Sequence, residues 1–229
     1  TPPDLATLGA ELAGYGVTAL TDCTPTNGEE ELARFRLAQE TGALPQRLCA
    51  MGTLGIANAS NDRLQIGAHK IMLDEPALPD FDDLIARVRA AHGESRGVAF
   101  HCVTRAEIIF ALAALRAAET GCGNDRIEHA SVAPPELFEE ILSLGVSIVT
   151  QPNFVYERGD GYLENVAPLD IPHLYRLKSW TEAGIALSGG TDSPFGRPDP
   201  WQAMRAAVDR QTATGHSLGP EEALSPEQA

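Results

Sequence analysis

Lys70, His101, His129 and Asp192 are side chains of the kind that hold catalytic metals or carry out amine chemistry, and they recur at nearly one interval. The steps between them are 31, 28 and 63 residues, the last close to two further steps of the same length. A βα unit occupies roughly 30 residues, so each of the four falls at the same place in its own unit. In a parallel βα barrel that place, the C-terminal end of the strands, is where active sites are built.

Lys70 stands out by rarity. Of 17 basic residues only Lys70 and Lys178 are lysines, so this chain uses Arg for surface charge. A Lys within the apolar run His69-Lys-Ile-Met-Leu suggests chemistry that a guanidinium cannot do. A buried amine with a lowered pKa is nucleophilic; it can form a Schiff base, or take up carbon dioxide as a carbamate that bridges metal ions. His101 closes Gly97-Val-Ala-Phe-His, and His129 follows Arg126-Ile-Glu. Imidazoles at strand ends one unit apart suit zinc or a similar divalent ion. Glu128, by strand alternation, is expected on the face opposite His129, in the barrel wall. Asp192, in Leu187-Ser-Gly-Gly-Thr-Asp-Ser-Pro, can bind metal and accept a proton from an activated water.

The elements that must position these groups alternate. Short β-branched apolar runs predict strands over Gly16–Thr21, Gln46–Met51, His69–Leu73, Val98–Cys102, Asp125–Glu128, Val146–Thr150 and Ile185–Gly189. Helical periodicity predicts helices over Pro3–Ala13, Glu29–Gly42, Phe81–His92, Ala106–Thr120, Pro135–Leu144, Pro172–Ala183 and Pro200–Thr214, with none placed between Leu54 and Gly67. Gly16, Gly97, Gly145 and Gly184 each introduce a strand, as in the αβ turns of a parallel sheet. The expected fold is α/β, a TIM-type (βα)8 barrel with about seven of its eight strands, forming one catalytic barrel domain over residues 1–229.

Composition narrows the function. Seventeen basic against 32 acidic residues give a net charge of −15, a surface that repels nucleic acid and anionic membrane. No apolar run approaches the ~18 residues of a membrane span, and no secretory signal is evident. Cys23, Cys49, Cys102 and Cys122 lack paired spacing and read as reduced, mostly buried thiols of a cytoplasmic protein. Asn58-Ala-Ser is treated as a chance sequon.

The motifs taken together resemble the metal-dependent amidohydrolase superfamily, most closely its large branch acting on N-substituted amides and formamides. They are Gly16-Val-Thr-Ala-Leu-Thr-Asp, Lys70-Ile-Met-Leu-Asp, Val98-Ala-Phe-His, Arg126-Ile-Glu-His-Ala, Gln151-Pro-Asn, Ser188-Gly-Gly-Thr-Asp-Ser-Pro and Asp199-Pro-Trp-Gln-Ala-Met, in family order over nearly the whole chain. The resemblance implies a divalent cofactor, zinc in one or two ions, held by Lys70, His101, His129 and Asp192. Asp192 would also be the general base, and Lys70 the carboxylated lysine that many members carry. It implies hydrolysis of carbon–nitrogen bonds in a small-molecule substrate through a metal-activated water, with Gln151 and Asn153 as candidate substrate contacts.

Two departures from the family pattern matter. The family's first strand ends in His-x-His, and this chain has no such motif. The small β domain built from both termini is absent as well, so the chain reads as a barrel cut at both ends. Two other readings follow: a truncated, inactive barrel or binding module lacking the His-x-His ligands, and a Schiff-base enzyme using Lys70. Unpaired strand edges of an open barrel also invite association with another chain, which leaves a homo-oligomer open.

Overall fold

The computed structural model describes residues 4–56, 60–121 and 123–229. Seven strands form one sheet in strict chain order: β1 (Ala19–Asp22), β2 (Arg47–Gly52), β3 (Leu64–Met72), β4 (Val98–Cys102), β5 (Arg126–His129), β6 (Ser147–Thr150) and β7 (Leu187–Gly189). Every neighbouring pair is parallel. Among the described residues, eight α-helices accompany them: α1 (Leu5–Gly14), α2 (Glu29–Glu40), α3 (Phe81–Gly93), α4 (Arg105–Ala118), α5 (Phe138–Leu144), α6 (Asn153–Asn165), α7 (Lys178–Glu182) and α8 (Pro200–Asp209). The sheet curls into a TIM-like barrel that lacks closure, as the strand count predicts.

The gap lies between β7 and β1, which do not pair with each other. Both are half-exposed to exposed along their length, whereas β4 and β5 are almost wholly buried. The ends of the curl still approach: Trp201 Nε1, in the first turn of α8, donates 3.0 Å to the Tyr15 carbonyl just past α1.

The outer face of the sheet carries the core. Ile71, Val98, Phe100, Cys102, Ile127 and Ile148 pack under Leu84, Val88, Ile108, Leu112 and Ile141 of α3, α4 and α5, with Trp180 of α7. A second cluster seats α2 through Leu32 against Leu48, Ala50 and Leu64. These alternate residues consume one face of each strand, which leaves the inner face for polar groups.

The strand-introducing glycines work in two ways. Gly16, Gly145 and Gly184 adopt left-handed φ after helix ends, which L side chains tolerate poorly. Gly97 does not; a Cβ there would lie 2.2 Å from the Asn124 carbonyl oxygen, so close approach is its reason.

All seven predicted strands are present, and several expectations need correction, among them the helix over Pro200–Thr214, which ends at Asp209 before the left-handed Arg210. β3 begins at Leu64 rather than His69. The helix expected over Pro172–Ala183 is instead a 3-10 turn over Ile171–His173 and the short α7, interrupted at Tyr175, whose φ is 45°. The helix α6 falls where none was expected. Cys23 and Cys49 are half-buried and Cys102 buried, all three free; Cys122 and the sequon residue Asn58 lie outside the described residues. Among the described residues, no helix is long and apolar enough to cross a membrane.

Candidate active site

Strand register fixes who faces the interior. Lys70 pairs with Ala99, Met72 with His101, and His101 with Glu128, so Lys70, His101 and Glu128 share one face. Cys102, the register partner of His129, points outward into the core, so a regular strand would turn His129 away from His101. It does not turn away. His129 has φ 72° and Ala130 φ 46°, and this left-handed pair swings the imidazole back: the His101 and His129 rings stand edge-on with centroids 4.4 Å apart. Thr150 Oγ1 donates to the His129 carbonyl at 2.7 Å and holds the bend. Asp192, beyond the end of β7, also has positive φ, at 53°. Non-glycine residues in this region are uncommon and cluster at functional sites.

The tautomer of His129 follows from its partner. Its Nδ1 lies 2.7 Å from Gln151 Oε1, an acceptor, so Nδ1 carries the proton and Nε2 keeps its lone pair. Burial pushes the His129 imidazole down to about 3, reinforced by His101 and by the Lys70 charge. Burial also lowers His101, again with Lys70 adding to the effect. Both rings are therefore neutral at physiological pH, the form that ligates metal.

Lys70 is buried, and burial lowers its amine below the ordinary lysine range, opposed in part by the Glu128 and Cys23 charges. Burial raises the half-buried Asp192 carboxyl, while Lys70 and Arg158 pull it back. The structure thus brings Lys70, His101, His129 and Asp192 to one end of the sheet, with Lys70 close enough to act electrostatically on each of the other three. Among the described residues, however, no group of three or more His, Cys, Asp or Glu side chains is gathered tightly enough to hold an ion. The donor set fits a divalent metal in kind: two neutral imidazoles, one with its second nitrogen fixed by a hydrogen bond, beside an amine and a carboxylate.

Several interior residues escaped sequence reasoning. Glu128 is not in the outer wall but inside, 3% exposed and paired with the Arg126 guanidinium. Arg126 Nη2 also reaches Cys23 Sγ at 3.6 Å and Met51 Sδ at 3.7 Å, and lies at the register level of Lys70. Alternation was a sound signal, but its reference point was misplaced, because His129 has left the regular strand. Arg158, whose charge acts on both His129 and Asp192, lies in α6. Gln151 and Asn153, the candidates for substrate contact, are both buried and each has a partner within the chain.

Known proteins agree with this architecture. The model of the amidohydrolase family matches residues 3–229, and the chain belongs to that family. An N-substituted formamide deformylase from Arthrobacter pascens is 31% identical over 108 residues, 45% of this chain and 19% of that protein. The structure of an uncharacterized metal-dependent hydrolase from Pyrococcus furiosus superposes with a TM-score of 0.82 at 25% identity, over 97% of this chain and 52% of that one. A second such hydrolase, from Pyrococcus horikoshii OT3, gives 0.81 at 24% identity over 97% and 51%. The chain thus spans about a fifth of the curated relative and about half of the solved structures.

Proposed function

We propose that this chain is the barrel portion of a hydrolase that cleaves carbon–nitrogen bonds of a small, non-peptide amide with the help of a divalent metal, zinc being the expected ion. The observation that carries this reading is the pair of neutral imidazoles turned toward each other by left-handed backbone at the strand ends, beside Lys70 and Asp192. Membership of the amidohydrolase family and the likeness to a metal-dependent hydrolase structure support it.

In this reading His101 and His129 hold the metal, His129 through Nε2, with Lys70 and Asp192 as the further ligands. The ion, when bound, polarises the scissile carbonyl and lowers the pKa of water. The chain's own groups do the rest. Gln151 keeps the His129 ring in one orientation and one tautomer. Asp192 takes a proton from the attacking water on a carboxylate oxygen and returns it to the leaving nitrogen. Burial holds Lys70 nearer its neutral form, in which Nζ can attack carbon dioxide, release a proton and become a carbamate. Arg158 adds positive charge that favours the ionised Asp192 carboxylate and the neutral His129 ring.

A second reading is a binding module or inert barrel, favoured by the lack of a tight three-ligand group among the described residues. One experiment separates the two. The purified protein is screened against N-substituted formamides and other amides, with chelator and then with zinc restored. Turnover that chelator abolishes and zinc restores supports the hydrolase; absence of turnover under every condition favours the module.

A further inference from the structure

We propose that the first turns of α6 are a positioning device for Asp192, with Asn153, Glu157 and Arg158 clamping the loop over residues 191–197. The proposal rests on the reading of Asp192 as the proton acceptor. The sheet alone cannot fix this residue: β7 is three residues long, and Asp192 lies beyond its end in a left-handed conformation. An unsupported side chain in that position relaxes towards ordinary backbone angles and carries its carboxylate away.

Three contacts from one helical stretch prevent this. Asn153 Nδ2 donates 3.0 Å to the Thr191 carbonyl, immediately before Asp192. The Glu157 carboxylate accepts from the Arg197 backbone N–H at 3.2 and 3.3 Å, closing the other end of the loop. Between them, Arg158 Nη2 donates 2.6 Å to the Phe195 carbonyl, with its guanidinium stacked 4.0 Å over the Phe154 ring. Asn153 Nδ2 also reaches Glu157 Oε1 at 3.3 Å, which ties the two ends of the clamp together.

The loop is shaped to receive the helix. Phe195 N and Gly196 N donate to the Asp192 carbonyl at 2.8 and 3.0 Å, a tight turn around the residue itself. Gly196 is buried against α6, and a Cβ there would fall 2.3 Å from both Asn153 Nδ2 and the Thr191 carbonyl oxygen. Asn153 has no exposed surface, and its amide nitrogen is committed to the Thr191 carbonyl and Glu157, while its Oδ1 is buried without a partner. Asn153 and Glu157, four residues apart, share one helix face, and Arg158, the next residue round the helix, reaches the loop through its long side chain.

The test uses Glu157→Ala, Glu157→Gln and Arg158→Ala, at half-buried and exposed positions where folding is not at risk, read by hydrogen–deuterium exchange and by kinetics. The clamp predicts that exchange over residues 191–197 rises about tenfold in Glu157→Ala and Arg158→Ala, with core strands unchanged. It predicts that kcat falls about tenfold while KM stays within about twofold, since geometry rather than binding is lost. Glu157→Gln keeps an acceptor oxygen and restores both readouts. Unchanged loop exchange in both alanine variants overturns the clamp, as does Glu157→Gln behaving like Glu157→Ala. If the wild-type protein hydrolyses no amide, exchange alone still decides the clamp, so failure of the hydrolase reading is seen separately.

Discussion

Replacing Gln151 with Leu removes the one oxygen that accepts the His129 Nδ1–H while keeping similar bulk. The His129 ring is only 7% exposed, so water cannot take the vacated place. Leaving a buried donor without a partner costs about 1–3 kcal/mol. Outer partners of metal-binding imidazoles are worth about 10–100-fold in affinity, or about 1.4–2.8 kcal/mol. The two ranges overlap, so Gln151→Leu should weaken zinc binding by about one to two orders of magnitude. Titration of the metal-free protein against a chromophoric zinc chelator measures this directly. Gln151→Glu, which retains an acceptor, should bind at least as tightly as the wild type. A Gln151→Leu affinity within twofold of wild type would refute the idea that this hydrogen bond sets the ligand form of His129.

Two further expectations concern the scaffold that carries the site. Arg210 is 1% exposed and donates to the carbonyls of Leu174, Tyr175, Leu218 and Gly219, tying the segment after α8 to the one before α7. Arg210→Met should therefore cost about 3–5 kcal/mol in urea unfolding, and a loss below 1 kcal/mol would deny it that role. Burial pushes the Glu222 carboxyl up, yet hydrogen bonds from Ser179 and Leu177 and the Arg176 charge outweigh it and hold it below its ordinary 4.5. Its contribution to stability is thus complete above pH 4.5 and is lost as pH falls through the lowered folded value. Glu222→Gln should flatten that acid limb of the stability profile, and an unchanged limb would assign it elsewhere.

Much of the fold was legible because parallel strands flanked by helices write a plain code. Val98, Phe100, Cys102 and Ile127 are apolar on the outer face, and glycine marks the entry of several strands. Lys70 was legible by its scarcity and His101 by its place at a strand end. Other features depend on backbone geometry that composition does not report. The left-handed turns at His129 and Asp192 decide which way those side chains point, and the one at His129 reversed the expected face of Glu128. The helix α6 was hidden by Gly159 and Gly161, which weaken helical propensity. Gly159 is there for packing: a Cβ would lie 2.6 Å from Thr212 Cγ2. The break at Tyr175 was hidden too, because it is set by contacts from Ser131 and Arg210, distant in sequence.

The central claim is that His101 and His129 are the nitrogen ligands of a hydrolytic metal centre. Its most direct test is the metal content of the purified protein beside His101→Ala and His129→Ala, each measured with amide turnover after zinc reconstitution. The account predicts bound zinc and turnover in the wild type, and loss of both in each variant. Unchanged metal content in both variants would remove these residues from the site and contradict the account.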